Sequence, residues 1–306
     1  MKLIKPSYEI IPQEAGLEGI YKAIERAGRT CYKSEDKITP TSAKEFVDRM
    51  IASGHGSMLE FGTVYLAANI GRSEAYYKHC CPIDNMMEDW ENNLFKYKSN
   101  KYSKYSTCII GDYLTAFVTT NYRVLVEKGW RDDLKYLCEP TEFHERRVCV
   151  RFTTDRGVSH ELVRHRVFSF AQESTRYCNY SKNKFGQQLT FIIPSWLNVE
   201  ECTKEFGSLT DLEYHKDIDN FQKSELVNES NFLQSIAWSE LNYLTMIGNR
   251  MKPQDARAVL PNALKTEINM CGFTSDWKHF FELRDSSNAH PDMQALVKLL
   301  HQEFKD

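Results

Sequence analysis

SHELVRHRVFSFAQESTRY, Ser159 to Tyr177, holds three arginines, two histidines and three serines within nineteen residues. Its reading decides whether the chain carries a metal-binding helix or a helix that breaks into a ligand-gripping loop. A metal helix needs two histidines four residues apart, so that both imidazoles share one face. His160 and His165 are five apart, which at ~100° per residue leaves them roughly 140° out of register. The metal reading fails, and no metal is expected. The spacing instead predicts a helix over 158–166. Arg164, His165 and Arg166 stand where that helix should end, and Ser169, Gln172, Ser174 and Arg176 follow on a polar loop.

Outward from this stretch the chain alternates between strand and helix signals. VCVRF (148–152) sets Val148, Val150 and Phe152 against polar partners, and GTVYLAANI (62–70) and LTFII (189–193), the latter stopped by Pro194, also read as strands. Residues 14–29 place Leu17, Ile20, Tyr21, Ile24 and Ala27 at helical spacing. Ser42 and Glu45 suggest a capping box for a second helix, closed by Gly54. Further helices are predicted at 112–128, 209–249, 254–259, 262–271, 275–285 and 291–304. The expectation is a single α+β domain over 1–306, an antiparallel sheet flanked by helices with a helical C-terminal half. An insert is expected at about 71–146.

The 306 residues carry a formal net charge of −3, with 42% hydrophobic and 26% charged side chains. A slightly acidic chain argues against a general nucleic-acid binder, which normally shows a basic excess. KYKSNKYSKY (96–105) interleaves lysine and tyrosine, one way to hold a single nucleic-acid strand; the alternative is a solvated hairpin turning near Ser99 and Asn100. Nine cysteines without a CxxC pair, no leader-like N-terminus and no long apolar run lead to the expectation of a reduced, cytoplasmic protein without a membrane span.

Guanidinium groups are planar forks that grip phosphate or carboxylate, and hydroxyl and amide groups complete such a shell. Two arginine clusters about ten residues apart therefore suit a ligand with several phosphates, or a phosphate and a polar ring. His165, flanked by two cations, is expected to stay neutral. The competing reading is a basic surface helix held by ion pairs.

Arg164-His165-Arg166, seven residues, then Ser174 and Arg176-Tyr177 resemble the signature of the flavin-dependent thymidylate synthases. AGRTCY (27–32), HGSMLEF (55–61), DARAVLP (255–261) and WKHFFELR (277–284) are similar to four further elements of that family, in the same order. The chain departs from the pattern at Phe61 (usually His), Glu161 (usually Gln) and Ala171-Gln172 (usually Asn-Glu). Phe273-Thr274-Ser275 stands where an Asn-x-Arg is usual.

The resemblance implies the family's thymidylate-synthase-complementing fold and an enzyme that methylates dUMP at C5 to give dTMP. Methylene-tetrahydrofolate would donate the carbon, and NADPH would supply reducing power through bound FAD. No protein nucleophile is implied, although Cys178 lies two residues after Arg176. The family's homotetramers share active sites between subunits. By the same resemblance, His55, Ser57, Arg164, His165, Arg166, Gln172 and His279 fall to the flavin. Glu161, Arg164, Ser174, Thr175, Arg176, Arg257 and Arg284 fall to the nucleotide, with Arg284 the catalytic cation that stabilises an ionised uracil. Two alternatives stay open. One is a non-catalytic nucleotide or single-strand nucleic-acid binder on the same scaffold, and the other is an NADPH–flavin oxidase.

Overall fold

The computed structural model describes residues 1–72, 93–197 and 227–304. At its centre four antiparallel strands lie in the order β2 (Ser7–Ile11), β6 (Arg147–Asp155), β9 (Lys265–Phe273) and β7 (Ser169–Gln172). The β6–β9 ladder runs from Arg147 opposite Phe273 to Asp155 opposite Lys265.

The central strand β9 corrects the sequence reading of 262–271 as a helix. Thr266 and the run from Ile268 to Phe273 are all buried. A strand covered on both faces shows no polar alternation, so spacing alone cannot separate it from a buried helix. The C-terminal half is therefore helical only around this strand.

Ile268 and Met270 of β9, with Val150 and Phe152 of β6, face one hydrophobic cluster. Its other side is supplied by α5 (Arg156–Leu162), α8 (Thr274–Arg284) and α9 (Pro291–Glu303). Trp277 is fully buried there, and its indole N–H donates to the Val148 carbonyl at 3.1 Å. Truncating a side chain so placed costs ~3–5 kcal/mol. Near the opposite face, α1 (Gly16–Tyr32) brings Ala27 into a small cluster with Phe61, Ala171 and Cys271.

A second sheet joins β3 (Thr63–Arg72), β5 (Tyr113–Asn121) and β4 (Lys104–Ile110), so the described part of 71–146 builds onto a strand that precedes it. The helix expected at 112–128 is in fact β5 followed by α4 (Tyr122–Lys128). Thr115, Val118, Thr119 and Thr120 favour the strand as β-branched residues, and Asn121 starts the helix by accepting from the Val124 N–H at 3.2 Å.

The Lys/Tyr segment is not a solvated hairpin. Residues Asn93–Ser99 form a 3-10 helix, and Tyr97 is fully buried with its hydroxyl donating to Asp133 at 2.8 Å. Lys96 pairs with the same carboxylate at 2.7 Å. One tyrosine of the interleaved set is thus core, not a stacking platform.

The second helix, α2 (Ser42–Ala52), lacks the expected capping box. Ser42 Oγ instead accepts from the Thr39 N–H at 2.9 Å and donates to Glu25 at 2.8 Å. α1 and α2 cross at Gly28, where an added Cβ would lie 2.4 Å from Phe46. β1 (Lys2–Ile4) and β8 (Thr190–Ile192) pair in parallel, and their cluster includes Ile236, Ala237 and Tyr243 of α6 (Val227–Gly248). The predicted helical residues 209–226 lie outside the described residues. Among the described residues no helix is long and apolar enough to cross a membrane, and no group of histidine, cysteine and carboxylate side chains is arranged to hold a metal.

Candidate active site

The helix in the opening stretch is short. Asp155 caps α5 by accepting from the Val158 N–H at 2.8 Å, and the helix ends at Leu162. The chain turns through His165, whose carbonyl accepts from the Phe168 N–H at 3.1 Å, and enters β7. The tail expected as loop is therefore partly strand.

This turn brings His165 and Glu161 to the last residue of α8. Arg284 Nε donates to His165 Nε2 at 2.9 Å, and an Arg284 terminal nitrogen donates to Glu161 Oε2 at 2.8 Å. Phe280, one turn earlier on α8, packs edge-on against the imidazole at 4.9 Å between centroids. Because a guanidinium only donates, His165 Nε2 must accept and the ring proton must sit on Nδ1.

His165 is held neutral, its pKa lowered to about 4, first by burial, then by the Arg284 charge and by His279. Neutrality was expected, but from the flanking Arg164 and Arg166. Those two side chains are exposed and make no hydrogen bond or ion pair among the described residues. The cause is packing and a cation distant in sequence. On this short helix the ion pair is made by Glu161, with Arg284, and not by either of these arginines.

The segment after β7 docks on the end of α1. Ser174 N–H donates to the Cys31 carbonyl at 3.0 Å, which ties the AGRTCY element to the serine of the opening stretch. Thr175 is buried, whereas Arg176 is exposed with its guanidinium 5.3 Å from the Tyr177 ring. Tyr177 in turn meets Tyr32 at 5.1 Å. Gln172 points inward and donates to Ser159 Oγ at 2.8 Å and Thr266 Oγ1 at 3.2 Å.

Other predicted residues make no hydrogen bond or ion pair with this cluster among the described residues. His55 and Ser57 are exposed at the start of α3 (Gly56–Leu59). Arg257 is exposed on the 3-10 turn Arg257–Val259 that follows α7 (Pro253–Ala256), with no side-chain partner among the described residues. His279 is exposed and meets Glu282 at 3.4 Å. Within one chain, then, Glu161, His165 and Arg284 come together, and no hydrogen bond or ion pair among the described residues joins Arg176 or Arg257 to them.

Sequence reasoning missed Arg147. Its guanidinium donates to the Glu60 carbonyl at 2.9 Å and reaches Ser169 Oγ at 3.5 Å. It also lies 5.6 Å from the Phe273 ring, and Lys104 Nζ stands 5.2 Å from that ring and 3.4 Å from Ser275 Oγ. Two cations thus reach the segment where Asn-x-Arg is missing.

A half-buried ion chain that ends on the buried Glu173 was also missed. Lys265 bridges Glu173 at 2.8 Å and Glu267 at 2.7 Å, and Lys33 reaches Glu267 at 3.0 Å. Burial alone would raise the Glu267 pKa, but the ammonium groups of Lys265 and Lys33 bring it down to about 2. Burial, with the Glu173 charge, pushes the Cys178 thiol up to about 12, so this sulfur is protonated at neutral pH.

Residues 139–306, more than half of the chain, match the thymidylate synthase complementing protein family. A flavin-dependent thymidylate synthase of Corynebacterium efficiens is 33% identical over 150 residues, covering 49% of this chain and 54% of that protein. A relative of the same name from Geobacter sulfurreducens is 29% identical over 142 residues, 46% of this chain and 49% of that protein. The chain spans about half the length of these curated relatives. A solved UMP/dUMP methylase, PolB from Streptomyces cacaoi bound with 5-Br dUMP, aligns over 99% of this chain and 92% of its own at 14% identity and a TM-score of 0.40.

Proposed function

The chain belongs to the thymidylate synthase complementing protein family, and on that premise we propose that it converts dUMP to dTMP by reductive methylation. Methylene-tetrahydrofolate gives the carbon. FAD, when bound, carries the hydride from NADPH to that carbon. The observation that carries the reading is Arg284 fixed by both His165 and Glu161. A cation locked in place before a ligand arrives can stabilise a ring anion without reorganising, which electrostatic catalysis requires.

The residues suit a flavin and a nucleotide in several respects. Arg164 and Arg166 present guanidinium groups with no partner among the described residues, a fit for phosphate oxygens. Lys104 and Arg147 place positive charge beside Phe273 and Ser275. We assign them part of the grip that Asn-x-Arg gives elsewhere in the family. Ser174, Thr175, Arg176 and Arg257 take the nucleotide phosphate, with His55, Ser57, Gln172 and His279 on the flavin side. Cys178 serves as no nucleophile, since its buried thiol stays protonated. We further propose that the site is completed by other subunits, as in a homotetramer.

The test is direct. Purified protein should show a flavin absorbance band that bleaches with NADPH, and should release tritium from C5-tritiated dUMP when folate is present. Protein that binds no added FAD and releases no tritium would sink the proposal. Salt-sensitive oligonucleotide binding without flavin would favour the non-catalytic alternative, and NADPH oxidation indifferent to dUMP would favour the oxidase.

A further inference from the structure

Cys149 of β6 and Cys271 of β9 stand directly opposite each other, and the proposed reaction uses neither. One hydrogen bond tells which kind of antiparallel pair they form. Thr274 N–H donates to the Arg146 carbonyl at 2.9 Å, one step beyond Arg147 opposite Phe273. Bonded and non-bonded pairs alternate along an antiparallel ladder, so Cys149 and Cys271, three steps along, form a non-hydrogen-bonded pair. In such a pair the Cα atoms approach to about 4.5 Å and the side chains come closest. A disulfide needs Cα atoms roughly 4.4–6.8 Å apart, so the backbone already holds these two within range.

Both side chains join the small cluster of Ala27, Phe61 and Ala171. The Cys149 thiol donates to the Cys271 sulfur, which with the Arg147 charge brings the Cys271 pKa down to about 7 against burial. The pair therefore supplies a thiolate, the form that reacts with oxidants, near neutral pH. Cys31 packs on the same cluster, but burial pushes its thiol up to about 11, and it donates to the Ala27 carbonyl of its own helix at 4.0 Å. Cys271 is buried, whereas Cys149 is half-buried, and both border the cleft between α1, β2 and β6. An oxidant little larger than water is the kind that suits such a site.

We propose that Cys149 and Cys271 are a reversible oxidation site, which hydrogen peroxide closes into a disulfide tying β6 to β9. One sulfur of the pair, as thiolate, attacks a peroxide oxygen. The O–O bond breaks, the leaving oxygen takes up a proton and departs as water, and a sulfenic acid remains. The facing thiol then attacks that sulfur and expels a second water. In sum, two thiols lose two electrons and two protons, and one hydrogen peroxide becomes two waters. A Cα spacing at the short end of the range strains the new bond, and strained disulfides are the readily reduced ones, so a dithiol reopens it.

The test exposes the full chain, folded and freed of reductant, to hydrogen peroxide at neutral pH. Remaining thiols are then alkylated in denaturant, and the protein is mapped by peptide mass spectrometry. The peptides holding Cys149 and Cys271 should appear joined, two hydrogens lighter than their sum, and should separate again after dithiothreitol. Cys31→Ser, shown to be folded by circular dichroism, should give the same joined peptide. Recovery of both cysteines as alkylated thiols overturns the proposal. So does a bond from Cys31 to either one, loss of the joined peptide in Cys31→Ser, or a joined peptide that forms only after urea unfolding. None of these readouts uses dUMP or folate, so this proposal and the thymidylate reading fail separately.

Discussion

The neutral state of His165 offers the sharpest test of the site geometry. Its pKa is lowered from the ordinary 6.5 to about 4, so the folded state resists a proton that the unfolded chain accepts. The stabilisation is present above about pH 6.5 and is lost as pH falls toward 4. Transmitted in full, the shift would remove about 2 kcal/mol at about pH 5. The ring is only partly buried, so solvent screening reduces this to ~1 kcal/mol. Urea unfolding of wild type and His165→Gln, each at about pH 7.5 and pH 5, isolates the effect. Glutamine keeps an oxygen that Arg284 Nε can donate to, but it does not titrate. Wild type should lose ~1 kcal/mol more than the variant over that range. Parallel losses, or a His165 proton resonance that titrates near 6.5, would refute the account. Arg284→Gln should raise the His165 pKa only part of the way, because burial is the larger cause.

Three other outcomes follow from single contacts. Arg284→Lys should abolish tritium release from dUMP while flavin stays bound, since one ammonium cannot reproduce the fork to His165 and Glu161; retained turnover would remove Arg284 from the proposed mechanism. Lys265→Met should cost ~3–5 kcal/mol at neutral pH by stranding the buried Glu173 carboxylate, while Glu267 keeps Lys33. The gap to wild type in urea unfolding should narrow on acidification as the stranded carboxylate takes up a proton. Gly28→Ala should destabilise by ~1–3 kcal/mol through overpacking on Phe46, although alanine is the better helix former by ~1 kcal/mol, and adding Phe46→Leu should recover part of the loss in a double-mutant cycle.

Strands at the edge of legibility show what a sequence can carry. VCVRF alternates because the two faces of β6 meet different surroundings, and Ile20 and Ile24 fall at helical spacing because α1 buries one stripe. β9 defeated the same reasoning because both of its faces are covered. The span 112–128 defeated it differently: a strand and a helix abut at Asn121 with no loop between them, so their patterns blur into one. At the site, the family pattern pointed to Glu161, His165 and Arg284, and the fold places these three in contact. Arg147 was invisible because its partners are Glu60, Ser169 and Phe273, none near it in the chain. The ion chain through Lys265 was hidden likewise, since Lys33, Glu173 and the Lys265–Glu267 pair come from three distant segments of the chain.

Arg284 also differs physically from the other arginines assigned to ligands. Arg164, Arg166, Arg176 and Arg257 are exposed and carry no ion pair among the described residues. Each is free to follow a phosphate, at the cost of side-chain entropy on binding. Lack of a partner does not by itself mark a ligand residue, since Arg146 is unpaired as well. Arg284, in contrast, spends Nε on His165 and a terminal nitrogen on Glu161, while Phe280 walls the imidazole that receives Nε. A guanidinium has five N–H donors, so this anchoring fixes its plane and still leaves donors to offer. The Glu161 carboxylate lowers the net charge presented, which weakens the pull on a resting anion, yet it holds the fork where charge would develop. A cation of that kind contributes more to a transition state than to ground-state affinity. This is why replacing it should abolish turnover before it abolishes binding.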